Sequence, residues 1–371
     1  MRLGILGNGQ LGRMSALAAQ RMGIQVRSIA PTGGGCMAGV GDQWVGDWHD
    51  PAVLATFADG CDAITVESEW APADLLVGRF GGRLFPRLTT LETIRHKGRQ
   101  KAALVAHNLS TMPFVAAATL EDAQRALAAL GSPVIVKKFE GSYDGFGNAR
   151  VTDPEAMAEA FAHLGGPDGV LVEAFCSFTR ELAVMVARDD AGATVVYPVV
   201  ETEQRDHRCH RVTYPAPGLS ADLARRAQAL AVACAEAVDL VGVLGVELFE
   251  TATGELVVNE LAPRPHNTGH YTIEACRTSQ FENHVRTVLG LPLGSADPIV
   301  PAAVMINVIG TQSGSVPMSN LAGAVGPHTH IHLYGKEELR PKRKMGHVTV
   351  TGSDPLACEQ VAVAAAQALQ F

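Results

Sequence analysis

The chain has 371 residues, of which 47% are hydrophobic and 18% are charged, and this composition excludes an intrinsically disordered protein. Its formal net charge of −8 disfavours nucleic acid as a standing partner, because a protein that binds a duplex needs a basic face. Seven cysteines without a Cys-x-x-Cys pair, no signal-peptide pattern and no apolar run of bilayer length predict a cytoplasmic protein with free thiols and no membrane contact.

The N-terminal region alternates short apolar strands with helices. Residues 2–6 and 25–29 are predicted strands on either side of an Ala- and Leu-rich helix, and residues 61–66 are a further buried strand. This order predicts a parallel sheet with both faces covered. Because 371 residues exceed one ordinary core, we expect three domains, at residues 1–98, 99–178 and 179–371.

A Gly-x-Gly-x-x-Gly pattern at residues 7–12 joins the first strand to the first helix. The dinucleotide fingerprint also needs an acid at the end of the second strand, where it binds the ribose. Here that strand runs into Ala30 and Pro31, and the next acid is Asp42, so a nicotinamide-dependent oxidoreductase is disfavoured. A phosphate at the N-terminus of the helix, near Gln10, and a tight turn without any ligand both stay open.

The second region carries a lysine followed by a glycine-rich loop. Lys137 ends the predicted strand at residues 133–138, and Gly141, Gly145 and Gly147 follow it. A lysine at this place can bind a phosphate as a point charge, and the loop can close over the phosphate with its amides exposed. No Gly-Lys-Ser or Gly-Lys-Thr follows, so this is not a Walker loop. The alternative is a solvent-exposed hairpin with the lysine on the surface.

Two carboxylates are predicted to face each other in the third region. Strand-like runs at residues 241–250 and 255–263 flank a Thr-Gly dipeptide. If that dipeptide is a two-residue hairpin loop, Glu247 lies opposite Glu260. Two like charges about 5 Å apart are destabilising, and a magnesium ion that also binds phosphate oxygens would compensate them. A register shifted by one residue, or a lysine that neutralises the pair, are the alternatives.

Two further clusters are candidate ligand sites. His266 and His270 are four residues apart, but Pro265 and Gly269 break the helix that would align them, so no zinc site is predicted. Residues 334–344 form a basic stretch in an acidic chain. That stretch predicts an anion site for a phosphorylated substrate, with a solvated charged loop as the alternative.

Six strings, in order along nearly the whole chain, carry a family resemblance. They lie at residues 7–14, 143–147, 258–270, 278–282, 289–293 and 336–347. Together they resemble the N5-carboxyaminoimidazole ribonucleotide synthetases, the ATP-grasp carboxylases of purine biosynthesis. The resemblance implies an α/β chain, α+β in its C-terminal part, with an ATP-grasp fold behind an N-terminal Rossmann-like (pre-ATP-grasp) domain. It also implies a homodimer.

The resemblance implies a reaction as well. ATP phosphorylates bicarbonate to carboxyphosphate, and the amine of 5-aminoimidazole ribonucleotide then takes the carboxyl group. Magnesium, or manganese in its place, accompanies the ATP. By position, the resemblance assigns catalytic roles to Asp144, Arg264 and Lys336, ATP contacts to Lys97, Lys137, Glu173 and Glu181, metal binding to Glu247 and Glu260, and substrate contacts to Gln10, Leu11, Glu67, Tyr143, His266, Asn267, Arg343 and Lys344.

The chain departs from the family pattern in several segments expected near the amine. Phe146 stands where the family has an arginine, and residues 139–142, 67–72 and 201–210 also differ. A paralogue that uses the same ATP chemistry on another amine is therefore an alternative. Three arginines in or beside the last segment, Arg205, Arg208 and Arg211, are candidates to replace the lost charge.

A protein that keeps the fold and binds ATP without catalysis is a second alternative. The intact Lys137, Glu247 and Glu260 argue against it, because these are the residues that such a protein would be expected to lose first. The sequence therefore favours a carbon–nitrogen ligase that forms ADP.

Overall fold

The computed structural model describes residues 1–141, 147–315 and 321–369. Its first unit is a four-stranded parallel sheet in the order β3-β2-β1-β4 with helices around it. The predicted strands at residues 2–6, 25–29 and 61–66 are confirmed, the last beginning at Ala63. The elements are β1 (Arg2–Leu6), α1 (Gln10–Arg21), β2 (Gln25–Ala30), β3 (Asp42–Val45), α2 (Pro51–Asp59), β4 (Ala63–Val66), α3 (Val77–Phe80), α4 (Leu88–Arg95) and α5 (Lys97–Ala106).

The second unit is a small antiparallel sheet in the order β5-β8-β6-β7, packed against two helices. Side chains alternate along its second strand in sequence: Val134 and Val136 are buried under the helices, so Lys137 lies on the opposite face. Asp153 caps the second helix, and Pro154 follows at its first position. The elements are β5 (Phe114–Ala117), α6 (Leu120–Leu130), β6 (Val134–Lys137), β7 (Asn148–Val151), α7 (Pro154–Leu164) and β8 (Val170–Ala174).

The third unit contains a nine-stranded antiparallel sheet in the order β14-β13-β9-β11-β12-β15-β19-β17, with β10 paired to β9. Strands β16 and β18 form a separate ribbon. The elements are β9 (Phe178–Arg188), β10 (Thr194–Val196), β11 (Val200–Arg205), β12 (Arg208–Tyr214), α8 (Ala221–Ala237), β13 (Gly242–Thr251), β14 (Leu256–Ala262), α9 (Thr272–Ala275), α10 (Gln280–Val288), β15 (Ala302–Ile309), β16 (Gly314–Ser315), α11 (Leu321–Ala324), β17 (Thr329–Leu333), β18 (Glu338–Leu339), β19 (Lys344–Gly352) and α12 (Pro355–Ala368).

The three units pack around helix α5 and strand β14. Thr111, in the connection to the second unit, bridges to Val258 of β14. Helix α10 of the third unit packs on α1, and its His284 lies 2.8 Å from the hydroxyl of Thr65 on β4. These contacts bring the loops of the first unit close to the strands of the other two. In the described ranges, no helix combines the length and apolar character needed to cross a bilayer.

Candidate active site

Glu247 and Glu260 face each other across the β13–β14 hairpin, as predicted. The predicted two-residue loop is wrong, however. Thr251 N–H bonds to the carbonyl of Glu255, and Gly254, at φ +76°, closes a three-residue turn. That turn alone would set Glu247 opposite Asn259. A β-bulge at Asn259 adds one residue to β14 and moves the register back. The predicted pairing was thus reached through two errors that cancel.

The two carboxyl groups of this pair differ in their electrostatic surroundings. Lys97 Nζ lies 2.5 Å from Glu260 Oε1. Burial raises the pKa of Glu260, but Lys97, together with Lys137 and His266, outweighs burial and holds that pKa below its usual value. Burial, and then the charge of Glu260, raise the pKa of Glu247 to about 8. The alternative that a lysine neutralises the pair therefore holds for Glu260 only. One paired lysine does not balance the two carboxylates of the pair.

A divalent cation fits this deficit. Glu247 and Glu260 are facing carboxylates that could hold such an ion. In the described ranges no group of three His, Cys, Asp or Glu side chains is placed to hold a metal. Magnesium usually takes one or two carboxylates and completes its shell with phosphate oxygens and water. Asn259 Nδ2, which the bulge brings to 3.4 Å from Glu247 Oε2, supports one of the two carboxylates.

Glu173 lies between two lysines on the other side of Lys97. Its Oε2 is 2.7 Å from Lys137 Nζ, and its Oε1 is 3.1 Å from Lys101 Nζ. Burial raises the pKa of Glu173, but the two ammonium groups outweigh burial and keep the pKa below its usual value. The charges of Glu260 and Glu247 also act on Lys137. Lys97, Lys137, Glu173 and the carboxylate pair thus form one connected group, which we call the nucleotide half of the site.

Glu181 joins the nucleotide half from β9. It lies opposite Thr202 of β11 and Phe249 of β13. Burial raises its pKa, partly opposed by hydrogen bonds from Gln204 and Thr202. Its charge acts on Glu247, so this predicted ATP contact lies beside the carboxylate pair.

The glycine pattern of the first unit surrounds a carboxylate. Gly9 N–H donates to Glu67 Oε2 at 2.5 Å, and the amide of Leu11 also bonds to Glu67. A Cβ atom at Gly7 or Gly9 would overlap with the Glu67 side chain, which is why these positions need glycine. The amides near Gln10 that the predicted phosphate would use are therefore already bound by Glu67.

Arg264 and His266 lie between this carboxylate and the carboxylate pair of Glu247 and Glu260. Arg264 Nε donates to Glu69 Oε2 at 2.7 Å, and the Arg264 charge also acts on Glu67 and Glu260. His266 Nε2 lies 3.8 Å from Glu247 Oε1. Burial, and then Arg264, lower the pKa of His266 to about 4, so this imidazole is neutral at pH 7.

The basic stretch at residues 334–344 lies close to Glu67 and His266. Lys336 Nζ donates to the carbonyl of Lys344 at 2.7 Å. Burial is the main reason that the pKa of Lys336 falls to about 8, and the charges of Glu67 and Arg343 also act on it. Lys344 acts on the pKa of His266. Glu67, Arg264, His266, Lys336 and Arg343 form what we call the amine half of the site.

Not every predicted residue lies in these two halves. Asn267 forms a reciprocal amide pair with Asn307, at 3.0 and 2.6 Å, so its side chain is used inside the protein. Tyr143 and Asp144, like Phe146, lie outside the described residues. The roles of the individual site residues stay predictions.

Sequence reasoning missed two residues of the site. Lys101 is four residues after Lys97, a spacing that places both on one face of α5. Gln280 is fully buried, accepts from His266 N–H at 2.9 Å and donates to His266 carbonyl at 2.7 Å, so it fixes the backbone beside the neutral imidazole. The helical spacing of the lysines was a usable signal, whereas Gln280 lies in one of the six resemblance strings but was given no role there.

Family models and a curated relative match most of the chain. Residues 1–93 match the ribonucleotide synthetase preATP-grasp domain, residues 102–281 the ATP-grasp domain, and residues 303–361 the phosphoribosylaminoimidazole carboxylase C-terminal domain. The N5-carboxyaminoimidazole ribonucleotide synthase of Mycobacterium tuberculosis (strain ATCC 25618 / H37Rv) is 40% identical, with 97% of this chain and 86% of the relative covered.

Two solved structures are similar along their full length. The N5-carboxyaminoimidazole ribonucleotide synthetase of Thermus thermophilus has a TM-score of 0.89 at 37% identity, covering 100% of this chain and 99% of that one. An Aspergillus clavatus N5-carboxyaminoimidazole synthase in complex with ADP and 5-aminoimidazole ribonucleotide has a TM-score of 0.88 at 31% identity, covering 99% and 98%. The chain belongs to the N5-carboxyaminoimidazole ribonucleotide synthase family and is an ATP-dependent, ADP-forming ligase with the ATP-grasp fold.

Proposed function

We propose that this chain carboxylates 5-aminoimidazole ribonucleotide, with ATP and bicarbonate as co-substrates and ADP and phosphate as products. The observation that carries the proposal is the meeting of the two halves: a lysine-rich group beside two facing carboxylates, and a basic group around Glu67. A bicarbonate oxygen attacks the γ-phosphorus, and ADP leaves. The amine then takes the carboxyl group of carboxyphosphate, and phosphate and a proton leave. Relatives with this printed name and the complex with ADP and 5-aminoimidazole ribonucleotide support it.

The nucleotide half would bind the phosphates and stabilise charge on them. Lys97 is paired with Glu260, and Lys137 interacts with both members of the carboxylate pair. As phosphate oxygens approach, each lysine can exchange part of its contact with Glu260 or Glu173 for a phosphate. Glu181 and the backbone after Glu173 would hold the adenosine. Magnesium held by Glu247 and Glu260 would supply charge neutralisation at the phosphates.

The amine half would bind the ribonucleotide. Lys336 and Arg343 offer positive charge for its phosphate, because Glu67 already binds the amides at the start of α1. Arg264, held by Glu69, lies where it can stabilise negative charge on the carboxyl group. Asp144, by resemblance, would take the proton that the amine loses. A homodimer and a cytoplasmic location belong to the same proposal by resemblance.

A different amine is the second candidate, and one observation favours it. Two of the three arginines that were candidates to compensate for Phe146 are paired elsewhere. Arg211 is paired with Glu203 at 2.8 Å and with Glu359 of α12. Arg205 is largely exposed and pairs with Glu203 as well. Neither supplies charge to the amine half in this arrangement.

The deciding measurement is ADP release with ATP, bicarbonate and a panel of amines. We expect 5-aminoimidazole ribonucleotide to stimulate ADP release far more than any other amine. Lys336→Met should then raise KM for this amine while leaving the affinity for ADP unchanged, since Lys336 lies in the amine half. Strong stimulation by another amine, with none by 5-aminoimidazole ribonucleotide, would overturn the proposal in favour of the second candidate.

A further inference from the structure

A fully buried lysine lies under the nucleotide half. The side chain of Lys101 is 2% exposed. Its ammonium donates to Thr111 Oγ1 at 2.6 Å and to the carbonyl of Val258 at 3.4 Å, and it lies 3.1 Å from Glu173 Oε1. The ammonium therefore has two hydrogen-bond acceptors and an ion-pair partner inside the protein, so Lys101 is not placed to touch a nucleotide.

Glu173 is enclosed in the same way. Its side chain is 5% exposed, and each of its oxygens faces a lysine. The adenosine contact that resemblance assigns to this residue would need a side-chain oxygen that Lys101 and Lys137 already occupy. Lys137 is the most exposed of the three groups, at 14%, and it ends β6 on the face away from the helices. The order from interior to surface is thus Lys101, Glu173, Lys137.

Lys101, Glu173 and Lys137 form a triad of charged groups. The net charge of this triad explains why it has three members and not two. A lysine is a point charge on a flexible stem, and a fixed carboxylate beside it restricts where the ammonium lies. Protein kinases use a lysine–glutamate ion pair for this purpose. Such a pair has no net charge, however, and would attract a phosphate weakly. With Lys101 added, the triad carries a net charge of about +1 when all three groups are ionised.

We infer that Lys101 is a positioning residue: through Glu173 it fixes Lys137 in the orientation that binds the nucleotide phosphates. The inference rests on the proposed nucleotide role of Lys137. Lys101 is also connected to β14 of the third unit. It donates to Thr111 Oγ1, and Thr111 Oγ1 donates to the carbonyl of Val258 at 3.0 Å. Val258 is two residues before Glu260 in β14, so the support for Lys137 is attached to the strand that carries the metal-binding prediction.

A double-mutant cycle tests the inference, with ADP affinity measured by calorimetry in wild type, K101M, K137M and the double variant. We expect K101M to weaken ADP binding at least about tenfold in the wild-type background and less than about twofold in the K137M background, because there is then no lysine left to orient. R99M, at an exposed position of the same helix, is the matched control and should give the same small change in both backgrounds.

A purely structural role for Lys101 predicts a different pattern. K101M would then cost the same factor in both backgrounds, and that result would overturn the inference. If K101M does not fold, T111V removes one acceptor of Lys101 without changing any charge, and the same non-additivity with K137M is expected at smaller size. A wild type that binds no ADP would end the proposed function itself, whereas additive losses in an ADP-binding protein would end only the inference.

In turnover assays the positioning role has a second signature. With bicarbonate and amine saturating, K101M should raise KM for ATP by a larger factor than it lowers kcat. Loss of global stability would instead lower kcat through the amount of active enzyme and leave KM unchanged. An unchanged KM would therefore count against the inference even if total activity falls.

Discussion

Glu173 and Glu247 are both acids of the nucleotide half, with side chains 5% and 26% exposed, and their pKa values are shifted in opposite directions. The pKa of Glu173 is pushed up by burial and pulled below its usual value by Lys137 and Lys101. The pKa of Glu247 is raised to about 8 by burial and by Glu260, because the nearby Lys97 is paired with Glu260. Glu173 is paired with two lysines. Glu247 and Glu260 together have one lysine, Lys97, which is paired with Glu260.

The number of paired cations distinguishes a carboxylate with a structural role from one that can bind a cationic ligand. A buried acid with a surplus of fixed cations is already compensated and has nothing to gain from a metal ion. A pair of acids with one lysine is incomplete until further positive charge arrives. The count of cations around each carboxyl group, rather than burial alone, therefore indicates where magnesium belongs.

The largest expected effect is the loss of turnover in Glu260→Gln. The variant keeps the shape of the side chain but removes one of the two charges that would hold magnesium, which is worth several kcal/mol of transition-state stabilisation. We expect ADP release to fall about a thousandfold, since each 1.36 kcal/mol is tenfold in rate. Glu255→Gln, an exposed acid of the same hairpin, is the control and should keep full activity. Wild-type ADP release by Glu260→Gln would rule out the metal role.

Glu173→Gln should destabilise the protein strongly. The substitution leaves Lys101 and Lys137 without their shared counter-ion, and breaking a buried ion pair typically costs about 3–5 kcal/mol. The pKa of Lys101 is lowered to about 8, chiefly by burial, so the neutral form is within reach at alkaline pH. The loss should therefore be larger at pH 6 than at pH 9. Urea unfolding at the two pH values measures it, and an equal loss at both would contradict the charge explanation.

The same substitution at Glu247 should have the opposite sign. A folded-state pKa of about 8, above the ordinary value of 4.5, means that stability is greatest at acid pH and is lost as the pH rises from about 4.5 through 8. Glu247→Gln removes this loss. In nucleotide-free, metal-free protein at pH 8, we expect the variant to exceed wild type by at least about 1.4 kcal/mol, the equivalent of a pKa difference of one.

Thermal unfolding of both proteins at pH 5 and pH 8 checks this prediction. The difference between them should be small at pH 5 and should grow toward pH 8. Saturating magnesium and ADP should reverse it, because only wild type has both carboxylates for the ion. A variant less stable than wild type at pH 8 without ligands would show that Glu247 is compensated by a charge other than Lys97.

Much of this site could be predicted because its residues lie on regular elements. Lys137 follows from its place at the end of β6, and the two neighbouring strands of Glu247 and Glu260 follow from the strand-like runs around the turn, although their register was right only because two errors cancelled. Contacts between distant segments could not be predicted. The glycine pattern left open both an anion and a ligand-free turn at the start of α1, and no local feature pointed to Glu67, which is 58 residues away along the chain from Gly9.

The bulge at Asn259 could not be predicted from the sequence either. Its neighbours Val258 and Glu260 continue a normal strand pattern, so nothing marks an extra residue there. A bulge is specified by what the two strands pack against, and that information lies in the rest of the fold. Sequence patterns give the faces of elements reliably, whereas they give registers only where turn and ladder are both regular.

The smallest expected effect concerns the turn that begins this hairpin. Gly254 has φ +76°, and no side chain lies within reach of an added Cβ atom, so Gly254→Ala costs only the backbone strain of the left-handed region. We expect a loss of about 1 kcal/mol in the free energy of unfolding. Gly254→Asn should lose less, because asparagine tolerates this region better.

Turnover should stay at the wild-type level in both variants. The bulge at Asn259, between the turn and the carboxylates, fixes their register independently of the turn. Reduced ADP release in Gly254→Ala at a temperature where it is fully folded would show that the turn, and not the bulge, positions Glu247 and Glu260.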